Sequence, residues 1–315
     1  MSENELMNYS IIIPVYNGEN TLIELYERIA TVFDQLKSDF EVIFVDDGSK
    51  DKSWEILNQI HIDDNRIRII KLRKNYGQHA AVLCGLKHAS GDFIITMDDD
   101  LQNPPEEILN LINSIIDRPD LDVVIGVPEQ KNHGFFRRLG SSFINALTTK
   151  IFKKDRNLRM SSFRIMTREL ANDLISLRIP EPAIGTMILV LTKNIENINV
   201  IHNPRAQGRS GYSFAKLLNL TYNNILSYSS LPLKIVSQIG LLSSFMSMIL
   251  AVYFLIRSRY VTVSGWVSTV VLISFFSGLI LFSLGIIGEY LIRILMSVYD
   301  YPQYLTLYKK GFDDN

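Results

Sequence analysis

The first 130 residues alternate between short apolar runs and segments with helical spacing. An example of the helical segments is Thr21–Leu36, which repeats apolar residues at positions that share one helix face. Fully apolar runs of this length are typical of strands buried on both faces of a parallel sheet, with helices covering it. We therefore predict an α/β domain with a mostly parallel sheet. The predicted strands are Ser10–Val15, Glu41–Val45, Ile67–Leu72, Phe93–Met97 and Asp122–Ile125, and the predicted helices are Thr21–Leu36, Trp54–Ile60, Ala80–Ala89 and Pro105–Ile116.

The last third of the chain has a different pattern. Ile235–Ile256 and Trp266–Ile287 are each 22 residues long and contain no Asp, Glu, Lys or Arg. As a helix with a rise of ~1.5 Å per residue, each run is ~33 Å long, which matches the hydrocarbon core of a bilayer. Two such runs, joined by the short polar turn Arg257–Gly265, predict a transmembrane hairpin rather than buried helices of a soluble protein. Phe214–Ser230 before them predicts an amphipathic helix in the membrane interface.

These patterns divide the chain into four parts. We predict a catalytic domain over 1–211, an amphipathic helix over 212–230, two transmembrane helices within 231–295 and a cytosolic tail over 296–315. The polar start MSENELMNYS is unlike a signal peptide, so we expect the first domain to stay in the cytosol. Basic residues are also more numerous on that side of the two apolar runs. The expected location is the inner (cytoplasmic) membrane.

Composition excludes several classes of protein. Among 315 residues, 32 Lys and Arg balance 33 Asp and Glu, which argues against binding nucleic acid through a basic surface. Cys84 is the single cysteine, so an intramolecular disulfide framework and a cysteine-rich zinc module are both excluded. The sequence has no HExxH, GxSxG or GxxxxGK[ST] motif, and the apolar runs have no charged residue of the kind that transporters use.

The strongest chemical motif is MDDDLQNPPE, which begins at Met97. Three consecutive carboxylates at a strand end repel one another unless positive charge neutralises them. Their hard oxygens suit Mg²⁺ or Mn²⁺. In an extended segment Asp98, Asp100 and Gln102 would point to the same side, because they are two residues apart. We predict a metal site here, at the carboxyl ends of the strands where such sheets bind ligands; the alternative is a solvated acidic turn.

Two further motifs follow predicted strands. In FVDDGSKD, Asp46 or Asp47 is placed to accept hydrogen bonds from a base or ribose, although part of this motif is explained by turn formation and helix capping. In PVYNGEN, Tyr16 is suited to pack along a nucleobase. Taken alone, PVYNGEN would indicate no more than a loop.

Phosphate groups also need positive charge. Lys150–Arg164 holds six basic residues, which we interpret as a solvated face with the exception of Arg164. Arg205 precedes Gly208 and Ser210 just before the membrane segment. Since the guanidinium fork matches phosphate oxygens, we expect Arg205 to bind phosphate.

In order and spacing, PVYNGEN, VDDGSKD, MDDDLQ, NPPE, SSFR and RxxGxSxYS resemble the motifs of inverting family-2 glycosyltransferases. With its two apolar runs, the chain resembles the polyprenyl-phosphate glycosyltransferases, the group of dolichol-phosphate mannose synthases and bactoprenol glucosyltransferases. The resemblance implies a GT-A, Rossmann-like fold and a homo-oligomer. It also implies transfer, with inversion, of a sugar from a nucleotide sugar such as UDP-glucose to a membrane polyprenyl phosphate for cell-envelope glycans. The QxxRW signature of processive polysaccharide synthases is absent.

The resemblance also implies roles for individual residues. The implied nucleotide-sugar site comprises Pro14, Tyr16, Glu19, Asp46, Asp47, Asp98 and Asp99. The implied ligands of Mg²⁺ or Mn²⁺ are Asp98, Asp100 and Gln102, and the implied catalytic residues are Asp98, Asp100, Arg164 and Arg205. Arg205 and Ser210 are implied to bind the lipid phosphate. Two positions depart from the pattern. Gly18 stands where many relatives have Glu, and Ser162 stands where some carry an acid.

The absence of an acid at Ser162 is compatible with a lipid-phosphate acceptor. A phosphate with a second pKa of ~6 is mostly ionised at neutral pH and needs no base. Two alternatives stay open at this point. One is a membrane-tethered transferase of the same fold with a hydroxyl acceptor on a glycan, a glycolipid or diacylglycerol. The other is a non-catalytic scaffold or sensor that binds nucleotide sugars.

Overall fold

A computed structural model describes residues 7–129, 155, 157–177, 179, 182–203, 231–257, 265–298 and 302–312. The chain forms two compact units. The first comprises Met1–Ser213 together with Pro302–Asn315, and the second comprises Phe214–Tyr301.

The first unit is built on an eight-stranded sheet. Its order is β7-β5-β6-β4-β1-β2-β3-β8. The pairs β4–β1, β1–β2, β2–β3 and β5–β7 are parallel, whereas β6 is antiparallel to β4 and β5, and β8 is antiparallel to β3. The strands are β1 Tyr9–Val15, β2 Phe40–Asp46, β3 Ile67–Leu72, β4 Phe93–Thr96, β5 Val123–Pro128, β6 Arg164–Thr167, β7 Ile195–Val200 and β8 Thr306–Lys310.

Helices cover the sheet on both faces, as the apolar strands predicted. All five predicted strands and all four predicted helices are confirmed, with ends that differ by a few residues. The helices are α1 Leu22–Leu36, α2 Ser53–Asp63, α3 Gln78–His88, a 3₁₀ turn Pro105–Glu107 that continues into α4 Ile108–Asp117, α5 Arg168–Ser176 and α6 Ile184–Leu191.

The core consists of two apolar layers, one on each face of the sheet. On one face, Ile11 and Ile13 of β1 pack with the buried side of α1. On the other face, Ile43 and Ile70 pack with Ala81 of α3. Each fully buried Ile contributes roughly 1.5–3 kcal/mol, an upper estimate because unfolded chains already bury some surface. The alternation of side chains along the strands thus fixes α3 against β1 and β2.

A close approach of α3 to the sheet depends on Gly85. A Cβ there would lie 2.4 Å from Ile12 Cγ2, which is closer than side-chain contacts allow. The glycine therefore lets α3 pack tightly over β1. This matters for the site because the first residues of α3 lie at the end of the sheet where the acidic motifs are found.

The chain returns to the sheet after the apolar helices. Residues 296–315 were predicted as a cytosolic tail. Part of this segment is β8, which pairs with β3 through Lys71 and Tyr308 and through Ile70 and Lys309. Strand β8 is short, with exposed Tyr and Lys side chains, and covers the edge of β3. Edge strands of this kind are weakly marked in sequence because only one side of them needs to be apolar.

The second unit contains two long helices, α7 Leu231–Arg257 and α8 Trp266–Val298, which include both apolar runs. Within the described residues, one stretch, Phe275–Ile292, is long and apolar enough to cross a membrane, and Leu233–Ser243 is a shorter apolar stretch. Large apolar side chains are exposed on both helices, for example Leu241 at 75% and Leu281 at 69%. The predicted amphipathic helix 212–230 lies outside the described residues.

Candidate functional site

Three loops that carry the sequence motifs meet at one edge of the sheet. They follow the carboxyl ends of β1, β2 and β4, which are neighbouring parallel strands. This edge is where open α/β sheets bind ligands. The structure thus brings together the PVYNGEN, VDDGSKD and MDDDLQ motifs.

Hydrogen bonds join the first two loops. Asn17 N donates to Ser49 Oγ at 3.0 Å, and Lys50 N donates to Asn17 Oδ1 at 2.9 Å. The Glu19 carboxylate accepts a hydrogen bond from Lys52 N at 2.9 Å, just before α2. Glu19 therefore stabilises the loop pair and the start of α2 in this structure.

Two residues predicted at the nucleotide site differ in exposure. The side chain of Tyr16 is 48% exposed at the tip of the first loop, where its ring is free to meet a planar ligand. Pro14 is buried inside β1, opposite Val45. Pro14 thus shapes the strand, and Tyr16 presents the aromatic surface.

Asp46 and Asp47 of VDDGSKD are buried. Asp46 Oδ1 accepts a hydrogen bond from Ser49 N at 2.8 Å, which closes the turn. Asp47 accepts hydrogen bonds from Tyr76 N at 2.7 Å and Gly77 N at 2.8 Å. Burial raises the pKa of Asp47, and the two backbone N–H donors oppose that shift. Asp47 therefore fixes the loop that enters α3.

The acidic motif forms a turn. Strand β4 ends at Thr96, and the chain turns at Asp99 and Asp100, with Leu101 in the left-handed region at φ 56°. The segment is not extended, so the expected two-residue alternation of Asp98, Asp100 and Gln102 does not apply. A non-glycine residue at positive φ costs about 1–2 kcal/mol. Backbone strain of this type is concentrated at ligand sites.

Asp98 is held by side chains from two other elements. Gln78 Nε2 donates to its Oδ1 at 2.5 Å, and Ser162 Oγ donates to its Oδ2 at 2.6 Å. Ser162 is itself fixed, because Thr96 Oγ1 donates to its carbonyl oxygen at 2.5 Å. The insertion of β6 beside β4 thus carries SSFR to the acidic turn.

Sequence reasoning missed Gln78. A signal for it was present in the chain, because Gly77 lies between the predicted strand Ile67–Leu72 and the predicted helix Ala80–Ala89, and a turn after a parallel strand lies at the carboxyl edge. The strand-turn-helix pattern alone therefore placed Gln78 near the other loops.

The other two carboxylates of the motif have different partners. Asp99 Oδ2 accepts a hydrogen bond from Tyr16 N at 3.4 Å, and Asp100 Oδ1 accepts one from Gln102 N at 3.1 Å. A Cβ on Gly18 would lie 2.4 Å from Asp99 Oδ2, so the glycine makes room for this carboxylate. Burial, with the charges of Asp98 and Asp100, raises the pKa of Asp99 to about 7.

Arg164 lies behind Asp98 and is 4% exposed. Its Nε donates to the Ser162 carbonyl at 3.4 Å, while its Nη1 has no hydrogen-bond partner among the described residues. Burial lowers the pKa of Arg164 to about 10, and the charge of Asp98 opposes that shift. An unpaired buried donor costs about 1–3 kcal/mol or more, which indicates a place for an acceptor group of a ligand.

His79, next to Gln78, is the second residue that sequence reasoning set aside. Its ring is reached by solvent but is surrounded by the walls of the site. Desolvation, with the charge of Arg164, lowers the pKa of His79 to about 4. The imidazole is therefore neutral at pH 7.

Arg205 and Ser210 lie outside the described residues. The segment that leads to them is fixed to the acidic turn, because Asn203 N donates to the Gln102 carbonyl at 2.8 Å. His202 Nδ1 and Asn103 Oδ1 are 3.2 Å apart and strengthen this attachment. Two residues further along the chain is Arg205.

The chemistry of the acidic turn fits a divalent cation. Among the described residues, no three or more His, Cys, Asp or Glu side chains are already arranged as a metal site. After burial, the charges of Asp98 and Asp100 contribute to the raised pKa of Asp99, so a cation at the turn would offset part of that cost. The donors at the turn are hard carboxylate and amide oxygens, which suit Mg²⁺ or Mn²⁺.

The mixed sheet with acidic loops at its carboxyl edge defines a protein of the GT-A fold. Residues 10–175 match the profile described as glycosyl transferase family 2. The chain belongs to this glycosyltransferase family, as the motifs predicted.

Relatives align along almost the whole chain. An uncharacterized glycosyltransferase, YkcC, of Bacillus subtilis (strain 168) is 32% identical and covers 98% of this chain and 96% of its own. The undecaprenyl-phosphate 4-deoxy-4-formamido-L-arabinose transferase of Photorhabdus laumondii is 35% identical, and the match covers 100% of this chain and 97% of that protein. The protein of the same name from Proteus mirabilis is 35% identical and covers 96% and 94%.

Solved structures share the fold. Glucosyl-3-phosphoglycerate synthase of Mycobacterium tuberculosis, in complex with Mn²⁺, UDP and glucosyl-3-phosphoglycerate, superposes with a TM-score of 0.53. It is 18% identical in sequence, and the match covers 70% of this chain and 78% of that chain. At this identity the likeness concerns the fold alone.

Proposed function

We propose that this protein is an inverting glycosyltransferase that moves a sugar from a nucleotide sugar to a membrane polyprenyl phosphate. The observation that carries the proposal is the attachment of Asn203 to Gln102, which connects the acidic turn directly to the segment leading to the apolar helices. The names of the relatives, which specify undecaprenyl phosphate, support the same acceptor.

For the donor we propose a UDP-sugar. The two joined loops present the exposed ring of Tyr16 to a base, as the sequence predicted, and Asp46 and Asp47 maintain the loops from within. The structural neighbour solved with UDP supports binding of a uridine nucleotide by this fold. UDP-glucose remains the favoured candidate from the sequence resemblance, and the sugar named in the relatives, 4-deoxy-4-formamido-L-arabinose, is the other.

For the cofactor we propose Mg²⁺ or Mn²⁺, with Asp98, Asp100 and Gln102 as the residues that hold it. When bound, such an ion stabilises the negative charge on a departing diphosphate. The structural neighbour with Mn²⁺ supports metal use in this fold. Gln78 and Ser162 orient Asp98 for this role through their hydrogen bonds.

The chemical step we propose is a single in-line displacement. A lipid-phosphate oxygen attacks the anomeric carbon while the bond from that carbon to the diphosphate oxygen breaks, and the anomeric configuration inverts. The attacking phosphate is mostly ionised near neutral pH, so a neutral Ser162 beside Asp98 is compatible with the reaction. Arg164, with its unpaired Nη1, and Arg205 supply positive charge that positions the two phosphates.

For the membrane part we propose a hairpin of α7 and α8. Strand β8 follows α8 and belongs to the same sheet as β1, so the chain must leave and return on the same side of the bilayer. If the chain crosses the bilayer, the number of crossings is therefore even, and two helices fit that number. The exposed apolar side chains of both helices favour contact with lipid over contact with water.

The test is transfer of labelled sugar to undecaprenyl phosphate by the full-length protein in detergent. The donor panel comprises UDP-glucose, other UDP-hexoses, GDP-mannose and a donor carrying 4-deoxy-4-formamido-L-arabinose, each with Mn²⁺, Mg²⁺ or EDTA. We expect metal-dependent label in the lipid phase for one donor. Asp100→Ala should lower it about 100-fold or more, an effect typical of lost electrostatic stabilisation, and Asp120→Ala, an exposed acid paired with Arg118, should not.

The outcomes separate the alternatives. If a nucleotide sugar binds but no donor labels the lipid, the acceptor assignment is wrong, and glycan or diacylglycerol hydroxyls are tested in the same assay. If a nucleotide sugar binds and no acceptor is labelled, the sensor hypothesis takes its place. If no nucleotide sugar binds, the donor site itself is wrongly assigned.

A further inference from the structure

A cross-strand row connects the C-terminal strand with the donor loops. Tyr308 of β8 lies opposite Lys71 of β3, and Lys71 lies opposite Asp46 at the end of β2. Directly opposite residues in neighbouring strands place their side chains on the same face. Tyr308, Lys71 and Asp46 therefore lie side by side on one face of the sheet.

Side-chain contacts continue along this row. Lys71 Nζ is 3.5 Å from Asp46 Oδ2 and 5.0 Å from the ring centroid of Trp54 on α2. The rings of Trp54 and Tyr308 are stacked, with centroids 6.3 Å apart and planes at 26°. Trp54 thus lies between the C-terminal strand and the ammonium group of Lys71.

Asp46 depends on Lys71. The carboxylate is fully buried, and its Oδ2 has no hydrogen-bond partner among the described residues, so the ammonium of Lys71 is the group that compensates its charge there. Lysine has a flexible four-carbon stem with freely rotating donors. The aromatic cover of Trp54 restricts that freedom and keeps Nζ beside Oδ2.

The position of Asp46 in turn determines both donor loops. Its Oδ1 accepts from Ser49 N, and Ser49 Oγ accepts from Asn17 N in the first loop. A shift of Asp46 would therefore move the loop that carries Tyr16 as well as its own.

The C-terminal segment is firmly attached on both sides of Tyr308. Gln303 Nε2 donates to the Ile179 carbonyl at 2.6 Å, and Arg73 N donates to the Leu305 carbonyl at 2.9 Å. Lys310 Nζ donates to Asn58 Oδ1 at 2.5 Å. The segment that follows α8 thus holds Tyr308 in place over Trp54.

We propose that Tyr308 is a positioning residue for the donor site. Packed on Trp54, it keeps Lys71 against Asp46 and so maintains the two loops in their binding geometry. The sheet therefore has a donor site whose shape depends on the strand that returns from the apolar helices. The identity of the ligand as a nucleotide sugar rests on the proposed function above.

The first experiment measures steady-state kinetics of full-length Tyr308→Ala in detergent. We expect KM for the nucleotide sugar to rise about fivefold, with kcat and KM for the lipid phosphate changed less than twofold, since the effect is on donor geometry. Trp54→Leu should behave in the same way, and Tyr308→Phe should match the parent protein. Lys309→Ala is the matched control, because Lys309 lies on the same strand but its Nζ is 3.4 Å from His88 Nε2, away from the row.

The second experiment does not depend on activity. Hydrogen exchange followed by mass spectrometry reports on the peptide covering residues 46–53, where Asp46 accepts from Ser49 N. We expect faster exchange of this peptide in Tyr308→Ala and unchanged exchange in Lys309→Ala. This result stands even if no sugar is transferred, so failure of the proposed function is separable from failure of this inference.

Two outcomes would overturn the inference. In a folded Tyr308→Ala protein, the KM for the nucleotide sugar and the hydrogen exchange of peptide 46–53 could both be unchanged. That result would show that Tyr308 does not affect the geometry of the donor loops. Equal acceleration of exchange across the whole sheet, with both KM values and kcat altered together, would show a general stabilising role for Tyr308.

Discussion

At the scale of single residues, the hydrogen bond from Ser162 to Asp98 is the most specific feature of the site. It takes the place of the acid found at this position in some relatives, and it orients the carboxylate without adding negative charge. We predict that Ser162→Ala lowers kcat about 10-fold, as expected for loss of one hydrogen bond to a charged group worth ~1.5 kcal/mol. Ser162→Asp should be worse, because a second carboxylate would adjoin Asp98. The assay is sugar transfer at saturating donor.

Ser161→Ala is the control for that prediction. Ser161 Oγ accepts a hydrogen bond from Phe163 N at 3.2 Å and is one residue away. Removal of the Ser161 hydroxyl should leave kcat within about twofold of the parent value. Substitutions of this kind usually change the free energy of unfolding by less than ~0.5 kcal/mol. Equal effects of Ser161→Ala and Ser162→Ala would show that the segment, and not the Ser162 hydroxyl, is what matters.

The neighbouring pair His79 and Arg164 gives a prediction about pH. The pKa of His79 lies at about 4 in the folded protein, against ~6.5 for an unperturbed histidine. Between these values the unfolded chain binds the proton more readily, so this group lowers the free energy of unfolding as pH falls from ~6.5 towards 4. Above pH ~6.5, His79 is neutral in both the folded and the unfolded protein and does not change the free energy of unfolding with pH.

Arg164→Met tests the cause of that shift. The substitution removes the nearby positive charge while desolvation remains, so the pKa of His79 should rise without reaching its ordinary value. Nuclear magnetic resonance titration of ¹³C-labelled histidines measures it directly, with His61, hydrogen-bonded to the Ile67 carbonyl, as an internal reference. An unchanged pKa of His79 in this variant would mean that desolvation alone determines it.

At the scale of elements, the start of α3 depends on Asp47. Its carboxylate accepts from two consecutive backbone N–H groups, and the next residue is Gln78, which reaches Asp98. Asp47→Asn turns one acceptor oxygen into a donor that faces an N–H group. We predict a loss of ~1–3 kcal/mol in the free energy of unfolding, the usual cost of an unpaired buried polar group, together with lower transfer activity.

Denaturant unfolding measures that loss, with Asp63→Asn as the matched control. Asp63 accepts only from the side chain of Gln59 on the exposed side of α2 among the contacts of the described residues. The control should be neutral within ~0.5 kcal/mol. If Asp47→Asn were equally neutral, the N-terminus of α3 would be held by the packing of Gly85 and Ala81 alone.

The elements also show where sequence reasoning succeeds. Strands β1 to β5 and helices α1 to α4 were predicted because burial on both faces leaves a strong apolar pattern. Strand β6 was missed, since its four residues begin with Arg164 inside a basic segment, and β8 was missed because an edge strand carries polar residues. Strand β7 was also missed, because it lies at the other edge of the sheet and carries polar residues. Strands β6 and β8 are antiparallel to their neighbours and β7 is parallel to β5, and all three depend on partners far away in the chain.

At the scale of the whole molecule, the return of the chain to the sheet makes the topology testable. If α7 and α8 cross the bilayer as a hairpin, residues 258–264 lie on the opposite side from the catalytic domain. The native Cys84 should contribute little background labelling, because it is buried and burial raises the pKa of its thiol to about 12. The thiolate, which reacts with maleimides, is then scarce.

We predict that a membrane-impermeant maleimide labels Ser258→Cys in intact spheroplasts, and that it labels Asp120→Cys only after lysis. Asp120 is an exposed residue of the catalytic domain, with a side chain 68% accessible. Labelling of both residues only after lysis would contradict the hairpin and indicate helices that lie on the membrane surface. Parent protein carrying Cys84 alone is the control for background labelling.

The sequence by itself determined the parallel core of the sheet, the two apolar runs and the clustering of three acidic or polar loops at one edge. These follow from local rules, because burial and the spacing of apolar residues in helices and strands can be read from neighbouring residues. Tertiary structure decided which partner each carboxylate meets: Gln78 and Ser162 for Asp98, Tyr16 for Asp99, and Lys71 for Asp46. It also placed β8 against β3. Such contacts join residues 20 to more than 200 positions apart, so no local pattern records them.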